Sequence, residues 1–214
     1  MTIPYSAKYQ LNWRYVKEAL EEKGLEPTNE DVTAVTFALR DAVKTIFPGP
    51  MAVMSWIEKE VSRIVKEGAD HLEWVTPSGF VVHQRIMKRN ITRLQLQLLG
   101  NCEVYVSDGE TDKVDKSRHR NATSPNLIHS QDASLLHLAT NQFNAPIALI
   151  HDSVLARATD MSLLSSIVRE TYMYLFAEHD YLTDFAKQIG AETNPPIIGD
   201  LDPSSVIDST YFFC

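Results

Sequence analysis

The sequence lacks the features that mark membrane, secreted and zinc-finger proteins. No apolar run approaches the roughly 20 residues that a helix needs to cross a bilayer, and no signal or transit peptide is recognisable at the N-terminus. Its two cysteines, Cys102 and Cys214, make no disulfide framework and have no Cys or His at zinc-site spacing beside them. No glycine-rich phosphate loop, internal repeat or low-complexity tract is present. We therefore expect a cytoplasmic protein with no membrane partner.

Length and charge leave the class of partner open. The 214 residues, 44% of them hydrophobic, can bury a core as one or two domains. The formal net charge of −8 argues mildly against a nucleic-acid partner. Basic residues nevertheless cluster at 85–93 and 113–120, whereas acids crowd at 18–31. Phosphate binding needs only local positive charge, so the negative net charge of the whole chain does not exclude a nucleic-acid partner.

Residue periodicity predicts an α+β chain with helices first. Apolar residues recur at three- and four-residue steps in the N-terminal third, and Thr28 with Asp31 forms a capping-box-like start. From about residue 72, alternation of apolar and polar residues replaces this helical period. The predicted elements are helices at 9–23, 28–46 and 51–67, a hairpin at 72–83, a ribbon at 93–106, a turn at 107–109 that opens a mobile loop at 107–124, a helix at 131–142, a hairpin at 147–157, helices at 160–177 and 180–189, and an irregular end.

The tripeptide His151-Asp152-Ser153 follows the apolar run Ile147–Ile150. An apolar strand that ends in an acidic turn presents a carboxylate at the edge of a sheet. Taken alone this signal is weak, because His-Asp pairs occur by chance in many proteins, and a surface hairpin Asp is the alternative. Three other segments add to it in chain order, Met1–Tyr5, Trp74–Phe80 and Pro125–Asp132.

Together these segments resemble the C-terminal part of the single-subunit RNA polymerases of bacteriophages and mitochondria. The resemblance covers the whole chain up to the aromatic end at 211–214, which it implies to be a functional tail beside the active site. It implies a helix-rich fingers part plus a partial palm of a right-hand polymerase. The implied division is fingers at 1–70, hairpins at 71–124 with a promoter-specificity loop at 93–122, palm at 125–190 and tail at 191–214.

The resemblance also implies site residues for templated transfer of nucleotides from NTPs. Asp152 would bind Mg²⁺, and His151 would shape the site beside it. Tyr5 would sense the ribose 2′-hydroxyl of the NTP, with Ser6 where the family usually has Gly. Tyr9 would stack on template DNA, and His129 would contact the primer-end base pair in the minor groove. Asp132 ends the same Pro125–Asp132 segment, and its side chain could equally serve as the N-cap of the next helix.

The ribbon at 93–106 resembles the family's specificity hairpin, which enters the major groove of a promoter. Arg93, Gln95, Glu103 and Tyr105 hold the positions that such hairpins use for base contacts, and their side-chain types suit that task. A plain hairpin with one wet face is the alternative.

The implied catalytic set is incomplete. The family's second metal-binding carboxylate and a Lys lie upstream of the segment seen here, so we expect a fragment or a natural subunit that needs a larger N-terminal polypeptide. The other implied partners are promoter and template DNA and nascent RNA. A family A DNA polymerase fragment is the runner-up, against which the His129–Asp132 stretch and the 93–122 insertion argue. A non-catalytic binding module is disfavoured by Asp152.

Overall fold

The computed structural model describes residues 8–96, 102–197 and 199–211. These ranges hold helices and three separate two-stranded antiparallel sheets, so the α+β class is confirmed. The helices are α1 (Tyr9–Glu22), α2 (Asn29–Ile46), α3 (Pro48–Lys66), α4 (Lys116–Gln142), α5 (Met161–Glu178), α6 (Tyr181–Ile189) and α7 (Ser205–Asp208). The strands are β1 (Leu72–Val75), β2 (Val81–Gln84), β3 (Met87–Leu96), β4 (Cys102–Val114), β5 (Ile147–Ile150) and β6 (Ser153–Ala156). No helix in the described ranges is long and apolar enough to span a bilayer.

The first three helices follow the sequence prediction closely. Thr28 caps α2 reciprocally, because the Asp31 N–H donates to Thr28 Oγ1 at 3.2 Å and the Thr28 N–H donates to Asp31 Oδ2 at 3.0 Å. Hydrogen bonds from Thr28 also lower the pKa of the Asp31 carboxyl. The start of α3 is earlier than predicted, at Pro48. A proline fits the first helical turn, where its missing N–H has no intrahelical partner to lose.

The larger core lies where α3, α4, α6 and the β1–β2 hairpin meet. Trp74 is its centre: its side chain is almost fully buried, and its ring meets the ring of Phe185 edge-on at 5.4 Å. The alternation in β1 places Leu72 and Trp74 inward and the residues between them outward. The buried members of this core are Trp56, Ile57, Val61, Val65, Leu72, Trp74, Leu127, Leu182, Phe185 and Ala186.

The predicted loop at 107–124 is wrong, as is the predicted turn at 107–109. Strand β4 continues to Val114 through bulged pairing with β3, and Gly109 provides the positive φ of 94°. Helix α4 then begins after Asp115, whose side chain accepts the Arg118 N–H at 3.0 Å. The helix carries Pro125 in its interior and crosses the predicted 124/125 domain boundary. Asp132 lies in the middle of α4, so its predicted role as an N-cap is wrong.

Polar residues form the buried contact between α4 and the β1–β2 hairpin. Gln84 donates to Thr123 at 2.9 Å and accepts from Asn126 at 2.7 Å. The Ile86 N–H donates to Nε2 of the fully buried His119 at 2.9 Å, and burial lowers the pKa of that imidazole. These bonds fix the rotation of α4 about its axis, which decides the direction of its remaining side chains.

A second core joins α4 and α5 to the β5–β6 hairpin. Its buried residues are Ala139, Phe143, Leu164, Ile167 and Val168, and Ile147, Val154 and Ala156 pack against them. Ile147 and Ala156 are cross-strand partners, so one face of this hairpin is anchored. The hairpin turn is thereby held beside the C-terminal half of α4.

The segment after α6 is fastened to α3 by the buried carboxylate of Glu60. This carboxylate accepts hydrogen bonds from the Glu192 N–H at 3.1 Å, from Arg63 at 3.1 Å and from the Thr193 hydroxyl. Burial opposes the charge on Glu60, but the hydrogen bonds from Thr193, Glu192 and Arg63 outweigh it and lower the pKa of the carboxyl. Trp56 adds a hydrogen bond to the carbonyl of Thr193 at 3.1 Å.

Candidate functional site

The β5–β6 turn consists of His151 and Asp152. Pairing of Ile150 with Ser153 leaves these two residues as the whole connection, as the sequence predicted. Within the described ranges, His151 is the one non-glycine residue with a positive φ, 56°. Left-handed backbone at a residue with a Cβ costs roughly 1–2 kcal/mol, and glycine commonly takes such turn positions. The imidazole thus occupies a position where the backbone favours glycine, which makes His151 a candidate for a functional role.

Helix α4 faces this turn with His129 and Asp132. The two residues are three apart in the helix and therefore lie on the same face. Together with His151 and Asp152 they line a cleft of ≈ 510 Å³, whose apolar walls are Ala133 and Leu136. Two pairs of residues about twenty positions apart thus form one small site with two imidazoles and two carboxyl groups.

Asp132 and Asp152 interact electrostatically across the cleft. Burial raises the pKa of the Asp132 carboxyl, the negative charge of Asp152 raises it further, and His129 opposes both. A divalent cation between the two acids would relieve this repulsion, and carboxylate oxygens are the ligands that Mg²⁺ prefers. The two carboxyl groups in the cleft are therefore of the donor type that the predicted Mg²⁺ needs.

The structure brings together three of the predicted site residues, His129, His151 and Asp152, and adds Asp132 to them. Sequence reasoning missed Asp132 as a cleft residue because it placed the start of the helix near that position. The available signal was the three-residue spacing between His129 and Asp132, which indicates a shared helix face once α4 is known to be continuous.

Of the other predicted nucleotide- and template-binding residues, the structure describes only Tyr9. Tyr9 is on α1, where its ring packs against Phe37 of α2 at 5.1 Å, and it does not line the cleft. Its stacking on template DNA stays a prediction. Tyr5, with the rest of Met1–Tyr5, lies outside the described residues, as do residues 212–214 of the predicted aromatic tail. Tyr211 is exposed.

The four residues predicted to contact bases share one face of the β3–β4 ribbon. Arg93 pairs with Tyr105 and Gln95 with Glu103 in the strand register, and residues two apart in a strand face the same side. All four are exposed, and Arg93 forms an ion pair with Glu103. The root of the ribbon is anchored by buried Met87 and its partner Val114. The ribbon thus presents a polar, hydrogen-bonding face to solvent.

Comparison with known proteins finds one family across most of the chain. The family model described as DNA-dependent RNA polymerase matches residues 1–196. The chain is 29% identical over 223 residues to the DNA-directed RNA polymerase of Pseudomonas phage phiKMV and 26% identical over 252 residues to that of Enterobacteria phage K11. It is 30% identical over 227 residues to the mitochondrial DNA-directed RNA polymerase 1 of Arabidopsis thaliana. Each alignment covers 100% of this chain but only 22–27% of the relative.

Proposed function

The chain belongs to the DNA-dependent RNA polymerase family, and from this premise we propose that it is the C-terminal fingers-and-palm part of a single-subunit-type RNA polymerase. The observation that carries the proposal is the cleft that unites His129, His151 and Asp152. The family described in the matching model and the three relatives above are named as RNA polymerases, which favours this function over that of a family A DNA polymerase fragment. The intact cleft disfavours a non-catalytic module.

The proposed reaction is templated transfer of a nucleoside monophosphate from an NTP to an RNA 3′-end, with release of pyrophosphate. Asp152 would hold Mg²⁺, with Asp132 adding negative charge beside it. The chemistry proposed for this site is that of two Mg²⁺ ions, one to activate the attacking 3′-hydroxyl and one to stabilise the leaving pyrophosphate. His151 limits the space next to Asp152, since both side chains project from a two-residue turn.

The remaining cleft and terminal residues are proposed to bind substrate and template. His129 would contact the primer-end base pair from the α4 side of the cleft. Tyr5 would discriminate ribose from deoxyribose through the 2′-hydroxyl, the group by which RNA precursors differ from DNA precursors at a given site. Tyr9 would stack on the template. Two of the relatives are phage enzymes, so the proposed place of transcription is the host cytoplasm.

A larger N-terminal polypeptide is part of the proposal. The chain spans about a quarter of the length of the curated relatives it matches. The resemblance implies that the family's second carboxylate and Lys would lie in a part that precedes this segment. We expect the purified chain alone to incorporate no NTP, because it carries only part of the catalytic set. Adding the cognate N-terminal polypeptide, captured with the tagged chain from its source cells, should restore promoter-dependent synthesis. The N-terminal polypeptide alone is the control, and robust incorporation by the isolated chain would contradict the proposal.

The β3–β4 ribbon is proposed to read promoter DNA through its polar face. A two-stranded ribbon fits the major groove, and Arg93, Gln95, Glu103 and Tyr105 would meet base edges there. Nascent RNA and template DNA would bind at the cleft, whereas the ribbon would bind promoter DNA during initiation.

Replacing Gln95 with Ala should change promoter preference and leave elongation on a preformed primer–template unchanged. A good bidentate base contact contributes about 1–3 kcal/mol of discrimination, which corresponds to about a 5- to 150-fold change at one or two base pairs. Transcription from a promoter library randomised at each position measures the preference. Thr92→Ala, on the opposite face of the same strand, is the matched control. An unchanged preferred sequence with a lower overall yield would mean that the ribbon is structural.

A further inference from the structure

A second cluster of metal-ligating side chains lies on the β1–β2 hairpin, away from the cleft. Its members are His71, Glu73 and His83, and one donor atom from each lies within 4.8 Å of the others. None of them lines the cleft of His129 and Asp152. We propose that these three residues form a binding site for a transition-metal dication of the Zn²⁺ class.

Strand register is the first argument for this site. Glu73 and His83 are direct cross-strand partners, and their side chains meet at 3.2 Å between Oε2 and Nδ1. His71 precedes Glu73 by two residues, and its ring stacks on the ring of His83 with centroids 4.5 Å apart. The three ligands therefore converge on one face by backbone pairing rather than by chance meeting of long side chains.

The opposite face of the hairpin is fixed to the core, which holds the ligand face in place. Leu72 and Trp74 are buried in the larger core, and Gln84 is hydrogen-bonded to α4. The backbone N–H of Val75 is also bonded to the side chain of Gln188 on α6. A metal site on such a hairpin starts from ligands whose backbone needs no ordering, and ordering is a main cost of forming a site in a flexible segment.

Asp70 supplies the outer partner that metal-binding histidines usually have. The Nδ1–H of His71 donates to Asp70 Oδ1 at 2.7 Å, so Nε2 of that ring is the nitrogen left to bind a metal. Arg85 lies 3.6 Å from the other oxygen of Asp70 and holds the carboxylate from the far side. A carboxylate behind a ligating imidazole fixes the tautomer and the direction of the ring.

The donor set selects the metal. Two imidazole nitrogens and one carboxylate oxygen suit Zn²⁺, and also Co²⁺, Ni²⁺ and Cu²⁺, whereas Mg²⁺ prefers octahedral oxygen ligands. All three side chains are about half exposed, so an ion from solvent can reach them. Three protein ligands leave a fourth position to water or to a group from a bound partner. This preference separates the site chemically from the Mg²⁺ cleft proposed above.

The test is a calorimetric titration of the 214-residue chain with ZnCl₂, repeated in excess MgCl₂. We expect one zinc ion to bind through this site and Mg²⁺ not to displace it. The His71→Gln/His83→Gln double variant should bind more than about 100-fold more weakly, and Asp70→Asn about 10- to 100-fold more weakly. The matched control is His129→Gln/His151→Gln, which removes the two imidazoles of the cleft and should leave this binding unchanged.

Three outcomes would overturn the proposal. They are no zinc binding by the wild-type chain at micromolar concentration, equal binding by the His71→Gln/His83→Gln variant, and loss of binding only in the cleft variant. Substitution with Co²⁺ gives a second readout, because tetrahedral nitrogen and oxygen coordination produces a visible ligand-field spectrum that the double variant should lack. No arm of the test uses polymerase activity, so the result is independent of the function proposed above.

Discussion

Replacing Asp152 with Asn is expected to lower nucleotide incorporation by the reconstituted polymerase by a factor of at least about 10³, with DNA binding nearly unchanged. Asn has the same shape but no negative charge, so the variant removes the proposed metal ligand and little else. The loss of transition-state stabilisation from a missing ligand amounts to several kcal/mol. Single-turnover incorporation on a fixed primer–template measures the rate, and a gel-shift or anisotropy titration measures DNA binding.

Two further variants make this result specific. Asp41→Asn removes an exposed carboxylate on α2 and should leave the rate unchanged. Asp132→Asn keeps the exposed turn but removes the neighbouring charge in the cleft, and we expect a smaller loss than for Asp152→Asn. If the Asp152→Asn enzyme kept a tenth of the wild-type rate, Asp152 would not be the metal ligand.

Replacing Trp74 with Ala is expected to lower the free energy of unfolding by about 3–5 kcal/mol. Only 2% of this residue is exposed, its ring meets Phe185 at 5.4 Å, and its Nε1–H donates to Ser130 Oγ at 3.1 Å. The substitution leaves a cavity between β1, α4 and α6. Such a loss is a large part of the roughly 5–15 kcal/mol that stabilises an ordinary domain. Urea unfolding of the 214-residue chain, followed by circular dichroism, measures it.

Trp13→Ala is the matched control for this substitution. Trp13 is only partly buried and donates a comparable hydrogen bond to Thr33 Oγ1 at 3.1 Å, so its replacement should cost clearly less. The loss in the free energy of unfolding for Trp74→Phe should lie between those for Trp74→Ala and Trp13→Ala. The Phe variant keeps a ring but loses the hydrogen bond to Ser130. A loss below about 1 kcal/mol for Trp74→Ala would mean that the hairpin does not depend on this residue for its position on α4.

Sequence reasoning located the elements whose buried face is apolar and failed where the buried face is polar. The first three helices and the β5–β6 hairpin carry apolar residues at regular spacing and were predicted close to their observed bounds. The first half of α4 buries His119, Thr123 and Ser124 instead, which is why residues 116–124 seemed unstructured from their composition. Pro125 is a second feature that sequence rules disfavour in a continuous helix, because proline in a helix interior removes a backbone hydrogen bond.

The candidate site could be predicted residue by residue but not as an arrangement. His129 and Asp152 were identified separately, whereas their meeting in one cleft depends on how α4, α5 and the β5–β6 hairpin pack around Phe143. The His71, Glu73 and His83 cluster escaped prediction for a similar reason. Spacing alone does not show that Glu73 pairs with His83, because the turn between β1 and β2 sets that register and a shift of one residue would turn the side chains to the other face.

Helix α4 is long enough to connect the β3–β4 ribbon directly to the cleft. Its 27 residues span about 40 Å as a single rod, and one residue, Asp115, connects it to the ribbon strand β4. The ribbon therefore joins the helix at its N-terminal end, whereas His129 and Asp132 lie near its middle. Pro125 lies between that end and these two residues, and it removes one backbone hydrogen bond of the helix there. We therefore expect a displacement of the β3–β4 ribbon to be transmitted through the backbone of α4. It should shift the wall of the cleft that carries His129 and Asp132.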